Sequence, residues 1–238
     1  MKPIEQTLAD IRHRINQACA RAQRLPDSVV LLPVSKKQPL AMLEQAFNVG
    51  LRAFGENYVQ EGLEKMTRLS EWRDQLQWHL IGPLQSNKTR EVAQNFDWVH
   101  TIDRIKIAQR LSEQRPPHLH PLQVCIQVNV SCEQTKSGVK PEDTLALAQA
   151  IVALPRLQLR GLMSIPQASA EPERLRTSHR ALRCLLEHIR ASLVMTQMQT
   201  GYEFLDTLSM GMSADLEVAI EEGSTLVRVG TALFGERP

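Results

Sequence analysis

Lys36 stands at the carboxyl end of the apolar run Val29-Val-Leu-Leu-Pro-Val34 and opens into the polar loop Ser35-Lys-Lys-Gln-Pro39. An amine at the mouth of a buried strand is partly desolvated, which favours the neutral form and frees a lone pair to attack an aldehyde or ketone. Most lysines at strand ends are simply solvated, so this reading depends on what shares the rim. Gly230-Thr231 follows a second apolar run, Leu226 to Val229. There a glycine admits close backbone approach, a threonine hydroxyl adds a donor, and free amides supply more, the ingredients of a phosphate cradle. Ser209 and Met210 are expected to contribute from the neighbouring strand end. A lysine nucleophile facing a phosphate cradle defines a ligand that is both an aldehyde and a phosphate ester. Without further information, a barrel enzyme acting on a phosphorylated aldehyde or ketone fits these residues.

Other constellations are weaker. His118-Leu-His120 is flanked by prolines with no carboxylate nearby in sequence, the pattern of a surface turn rather than a metal site, and no metal is expected. Arg174, Arg176, Arg180 and Arg183 recur at helical spacing and read as a solvated helix face. Cys19, Cys125, Cys132 and Cys184 are scattered without a C-x-x-C pair and read as reduced buried thiols.

The elements that must position Lys36 follow from the hydrophobic pattern. Short β-rich runs lie around Val29–Val34, Ala53–Gly55, Trp78–Ile81, Trp98–Thr101, Gln123–Val130, Leu157–Met163, Leu205–Ser209 and Leu226–Val229. Helical segments begin near Pro39, Glu56, Ser86, Asp103, Pro141, Glu171 and Ser213, several on the proline, serine or acidic residue that favours a helix start. An opening helix carries Ile4, Leu8, Ile11, Ile15, Ala18 and Ala22 on one face. This alternation predicts a (β/α)8 TIM barrel forming a single domain over 1–238, its extra amino-terminal helix packing where the eighth helix would sit. In such a barrel the loops after the strands form the site, and Lys36, Asn57, Asp103, Met163, Ser209 and Gly230 all fall near strand ends. Singly, Asn57 and Ser213 read as helix caps and Gly138 as a turn former; their convergence on one rim carries the argument.

A formal net charge of +2 provides no field to recruit nucleic acid or an anionic membrane. No apolar run reaches membrane-spanning length and the amino terminus has no hydrophobic signal core, so a cytoplasmic protein is expected; a monomer is also expected.

Three stretches, Ala53-Phe-Gly-Glu-Asn-Tyr-Val-Gln-Glu61, Trp78-His-Leu-Ile-Gly-Pro-Leu-Gln-Ser-Asn-Lys88 and Leu208-Ser-Met-Gly-Met-Ser-Ala-Asp215 with Val227-Arg-Val-Gly-Thr231, closely resemble the pyridoxal phosphate homeostasis (YggS/PROSC) family. The resemblance covers essentially the whole chain. It implies a barrel like the amino-terminal domain of alanine racemase, with pyridoxal 5'-phosphate (PLP) held as a Schiff base on Lys36. It also implies Arg228 facing the pyridine nitrogen, Ser209, Gly230 and Thr231 on the phosphate, Asn57, His79 and Met163 lining the pocket, and Lys136 near its entrance. Many relatives have a second lysine two positions after the first; here Gln38 stands there and Lys37 is adjacent.

Arg228 limits the chemistry. A guanidinium is always protonated and can only donate, so the pyridine nitrogen stays neutral and the ring is a weak electron sink. Transamination is disfavoured, and racemisation would need an opposing base for which one domain leaves no place. Tyr58 and Tyr202 are the only tyrosines, and Tyr58 is expected to pack or to hydrogen-bond at a helix start. The expected role is storage, buffering or delivery of PLP, with apo-PLP enzymes as transient acceptors; the alternative is an amino-acid racemase of the alanine racemase type.

Overall fold

Each strand is short, and its neighbours are set by the helix that returns the chain to the starting edge. The computed structural model describes residues 2–131, 137–166, 171–195 and 204–236, so Cys132, Lys136 and Tyr202 lie outside the described residues. The strands are β1 (Val30–Pro33), β2 (Ala53–Glu56), β3 (Gln77–Leu80), β4 (Trp98–Ile102), β5 (Leu122–Gln127), β6 (Leu157–Met163), β7 (Thr207–Met212) and β8 (Leu226–Val229). They pair in parallel in the order β1-β8-β7-β6-β5-β4-β3-β2. A parallel bridge between Val34 and Gly55 joins the two ends of that order and closes the barrel.

The helices are α1 (Ile4–Arg21), α2 (Leu40–Asn48), α3 (Val59–Arg68), α4 (Thr89–Asn95), α5 (Ile105–Gln114), α6 (Thr144–Val152), α7 (Pro172–Met195), α8 (Leu216–Glu221) and α9 (Thr231–Phe234). Their apolar faces pack on the outward-facing strand residues, with Phe54, Trp78, Leu80, Val99 and Val124 fully buried between the layers. Each such side chain contributes about 1.5–3 kcal/mol. The expected opening helix is there: Ile4, Leu8, Ile11, Ile15 and Ala18 are buried, and α1 packs against α8 and α9. Arg14 on α1 locks the contact with two parallel hydrogen bonds to the Glu217 carboxylate, at 2.7 and 2.9 Å.

Several expectations need correction. β7 does not stop at Ser209 but continues to Met212, because Gly211, at φ 91°, inserts an extra residue into the ladder with β8. A side chain there would strike Ala219 at 2.5 Å. Ser213 is not the N-cap of α8; Asp215 holds that position without a side-chain bond to the helix amides, its Oδ1 accepting instead from the Met212 amide at the end of β7, at 2.7 Å. Asn57 does not cap α3, whose N-cap is Tyr58, and Tyr58 is 56% exposed rather than packed. The arginine stripe is exposed at Arg174 and Arg180 and partly exposed at Arg183, as expected, yet it also ties α7 to α8: Arg176 and Arg180 hydrogen-bond the Glu222 carboxylate at 2.8–3.0 Å, and Arg176 reaches Glu221. Cys19 and Cys125 are buried as expected, whereas Cys184 is exposed.

Candidate functional site

At the carboxyl end of β1 the chain turns through Ser35, Lys36 and Lys37, with Lys37 at φ 57°. The turn is fixed from beneath. The Ser35 amide donates to the Gly55 carbonyl at 3.0 Å, and the Ser35 hydroxyl donates to Glu56 Oε1 at 2.6 Å. Lys65, reaching up from α3, uses its three donors on the Ser35 carbonyl at 2.6 Å, Glu56 Oε1 at 2.8 Å and Glu61 Oε1 at 2.7 Å. Glu61 also accepts the Lys37 amide. Burial pushes the Glu56 carboxyl up, opposed by the Lys65 ammonium and the Ser35 hydroxyl. Lys36 itself is half-buried in the turn, just beyond Leu32 and Val34, which cluster with Ile81 and Leu226. Gln38 is buried at 7% exposure and is no second lysine.

Glu56, Glu61 and Lys65 were not singled out in the sequence. The i,i+4 spacing of Glu61 and Lys65 was the available signal; their shared contact with the Lys36 turn joins strand to helix and has no local signature.

β8 ends beside this turn. The Val34 amide donates to the Val229 carbonyl at 2.9 Å, and Gly230 lies so close that a Cβ on it would come within 3.3 Å of the Val34 carbonyl. Thr231 follows, exposed, as the first residue of α9, where the opening amides have no partner within the helix. Lys36, Gly230 and Thr231 are thus on adjoining strand ends.

Ser209 and Met210 are not at that level. Ser209 pairs with Leu226, four residues before Gly230, since β7 runs on past it. Its hydroxyl accepts from Arg228 Nη1 at 2.8 Å and lies 2.8 Å from His100 Nδ1. The Met210 side chain is fully buried in the layer between sheet and helices, and its carbonyl accepts from the Ser224 hydroxyl at 2.7 Å.

Arg228 is buried in the barrel. Nη1 donates to Ser209 Oγ and the Ser209 carbonyl, and Nη2 to the Ser164 carbonyl at 2.8 Å. Burial brings its pKa down to about 10, with Asp215 and Cys125 opposing, so it stays a cation at neutral pH. The Ser164 hydroxyl beside it is buried without a partner.

On the same rim is a cavity of about 260 Å³ lined by Asn57, Ile81, Pro83, Thr101, Gln127, Ser137 and Ile165; Lys36, Arg228, Gly230 and Thr231 are not among its lining residues. Asn57 is pressed against Gly82, where a Cβ would sit 2.0 Å from the Asn57 carbonyl, and Asn57 Oδ1 is buried without a partner. Of the other expected lining residues, Met163 packs lower with Trp98 and Cys125. His79 lies two residues before Ile81 on the same face of β3, hence about 6.6 Å deeper, and does not line this cavity. It stacks on Trp98 with centroids 5.2 Å apart, and its Nδ1 is 3.0 Å from His100 Nε2. His118 and His120 are exposed in a turn, and no cluster of metal ligands occurs among the described residues.

With this geometry the comparisons with known proteins agree. The family model described as the alanine racemase N-terminal domain matches residues 7–238. A pyridoxal phosphate homeostasis protein from Pseudomonas aeruginosa is 52% identical over 237 residues, covering 100% of this chain and 97% of that one. PipY from Synechococcus elongatus superimposes without PLP at a TM-score of 0.81 and with PLP bound at 0.77, at 35% identity in both cases. These structures align with 98% and 93% of this chain respectively, and with 100% of PipY each time. An alanine racemase from Clostridium difficile shares the fold at a TM-score of 0.75 and 14% identity, aligned over 99% of this chain but 57% of its own. The chain belongs to the pyridoxal phosphate homeostasis protein family, built on the barrel of the alanine racemase N-terminal domain.

Proposed function

We propose that this protein binds PLP as a Schiff base on Lys36 and stores, buffers or hands over the cofactor inside the cell without turning over substrates of its own. The observation that carries the reading is the Lys36 turn, held by Lys65, Glu56 and Glu61 on a strand end adjoining Gly230 and Thr231. When bound, the cofactor supplies an aldehyde carbon for the lysine and an electron-withdrawing ring.

The residues fit it. Gly230 and Thr231 would take the phosphate, Asn57 Oδ1 and Ser164 Oγ are buried polar atoms lacking partners, and Arg228 would donate to the ring nitrogen. Ser209 then acts through Arg228, which it orients, and Met210 supports the site only through strand β7.

The same residues argue against catalysis. Arg228 donates a hydrogen bond but keeps its proton, so a ring nitrogen beside it remains unprotonated. The rim cavity beside Asn57 is lined, among the described residues, by Asn, Ile, Pro, Thr, Gln, Ser and Ile side chains, and none of these exchanges a proton near neutral pH. A racemase needs such a group opposite the lysine. Transient delivery to apo-PLP enzymes and a monomeric state complete the proposal; no described helix is long and apolar enough to cross a membrane.

The test is spectroscopic. Purified protein loaded with PLP should show the visible absorbance of a lysine Schiff base, and Lys36→Ala should lose it with the fold intact. Borohydride reduction and mass spectrometry should place the pyridoxyl group on Lys36; an adduct on Lys37 or Lys136 overturns the assignment. Loaded protein should reactivate an apo-PLP enzyme yet convert no L-amino acid to its D-isomer or keto acid. Turnover near the common enzyme median of about 10 per second would promote the racemase.

A further inference from the structure

Among the described residues, the end of the barrel opposite Lys36 is open. A cavity of about 320 Å³ opens there, and Val30, Ala53, Gln77, Trp98, Thr207 and Leu226, the first residues of six strands, line it. Barrel interiors are ordinarily filled by layers of side chains. Here Val30, in step with the interior residues Leu32 and Val34, is 54% exposed on the lip. Arg160 stands in the wall, its guanidinium 4.9 Å from the Trp98 ring centre and paired with Asp206. Its charge is therefore already matched.

His79 also lines this well. It is 3% exposed, and its Nε2 has no hydrogen-bond partner among the described residues. Which kind of partner it lacks follows from the chain of bonds behind it. Arg228 can only donate, and it donates to Ser209 Oγ. If the Ser209 hydroxyl in turn donates to His100 Nδ1, then His100 Nε2–H donates to His79 Nδ1, and a single group, His79 Nε2–H, is left unmet. The reverse polarity leaves two: the Ser209 hydroxyl hydrogen and the His79 Nε2 lone pair. Each unmet buried group costs about 1–3 kcal/mol, so the guanidinium fixes the direction of the chain. His79 then presents an N–H donor to the well. Burial holds His79 far below the ordinary imidazole pKa, at about 3, so it stays uncharged there.

We propose that the amino-terminal well is a second binding site, separate from the Lys36 mouth, for a small uncharged molecule whose carbonyl, N-oxide or ring-nitrogen acceptor takes the His79 Nε2–H bond. The cavity holds roughly ten water volumes at about 30 Å³ each, far more than a single water satisfying Nε2 requires.

The experiment uses the full chain with nitrogen-15-labelled histidine. Pyridine N-oxide, an acceptor with no donor, and toluene, of similar size with neither, are titrated into the wild type and Val30→Phe. Val30→Phe narrows the lip at an exposed position, leaving the buried interior alone. The expected results are a proton on His79 Nε2, a saturable shift of that resonance by pyridine N-oxide alone, and binding weakened at least about tenfold in Val30→Phe, or 1.4 kcal/mol. The wild-type tautomer is read without any variant, and a proton on Nδ1 instead of Nε2 overturns the proposal. So does an N-oxide Kd weaker than about 10 mM, an equal response to toluene, or unchanged affinity in Val30→Phe.

Discussion

Lys65 decides whether Lys36 is presented or merely present. Its ammonium is 7% exposed, and its partner Glu56 is completely buried, so truncating the lysine strands a carboxylate in the protein interior. Breaking a buried pair on one side costs about 3–5 kcal/mol. Lys65→Met should lose about that much in urea unfolding and should slow PLP loading, while Lys65→Met with Glu56→Gln should recover most of the stability; equal losses in both would show that the pair contributes little. At the other side of the rim, Thr231→Ala removes one hydrogen bond to a charged group, worth about 1.5–3 kcal/mol. PLP affinity measured by spectral titration should fall by roughly one to two powers of ten, and unchanged retention would move the phosphate elsewhere. The strand-end positions of Lys36, Gly230 and Thr231 were legible because polar residues and glycine stand out against the apolar runs they follow. The exact depth of Ser209 and His79 was not, because it depends on where a strand stops and on a bulge at Gly211, which local sequence sets only weakly.

At the scale of elements, alternation and caps were enough to read eight strands and the opening helix, and the errors cluster where a side chain serves two elements. Asp215 holds the N-cap position of α8 in place of Ser213, but its carboxylate serves other elements, one oxygen on the Met212 amide of β7 and the other 3.0 Å from His179 on α7. The arginines of α7 are largely exposed as read, but their pairing was hidden because the acceptors, Glu221 and Glu222, lie some 40 residues away at the end of α8. Helical starts were displaced by two or three residues at α3, α5 and α8, and single 3-10 turns at Ser86–Lys88 and Pro141–Asp143 precede α4 and α6. Such offsets leave the topology untouched, since register in a barrel is fixed by strand pairing rather than by where the helices begin.

For the whole molecule, two uncharged histidines in the barrel make stability depend on pH. Burial drives His79 from the ordinary 6.5 to about 3, and burial, then His79 and Arg228, drive His100 well below it. Between those limits the unfolded chain binds more protons than the folded one, so stability is full above 6.5 and falls as pH falls. The slope is at most about 1.4 kcal/mol per pH unit for each histidine. The raised carboxyl of Glu56 acts in the opposite sense, above its ordinary 4.5, and reduces the net slope. Urea midpoints at about pH 7 and about pH 5 should differ accordingly, and His79→Phe should flatten the profile; a profile already flat in the wild type would contradict the buried neutral pair.

The closing seam has a temporal consequence. Between β1 and β2 the described backbone pairing amounts to the Val34–Gly55 bridge and the Ser35 amide on the Gly55 carbonyl, whereas β5 and β6 pair along six positions. Local openings follow the least-bonded boundary, so the barrel should breathe along the seam that carries Lys36. In native-state hydrogen exchange the Ser35 amide should exchange well before those of Val124 to Gln127, through openings that leave the other ladders closed. Cofactor arrival and departure would then draw on the motion of one strand pair, and a ligand that protected Ser35 while leaving β5 unchanged would mark that seam as its gate.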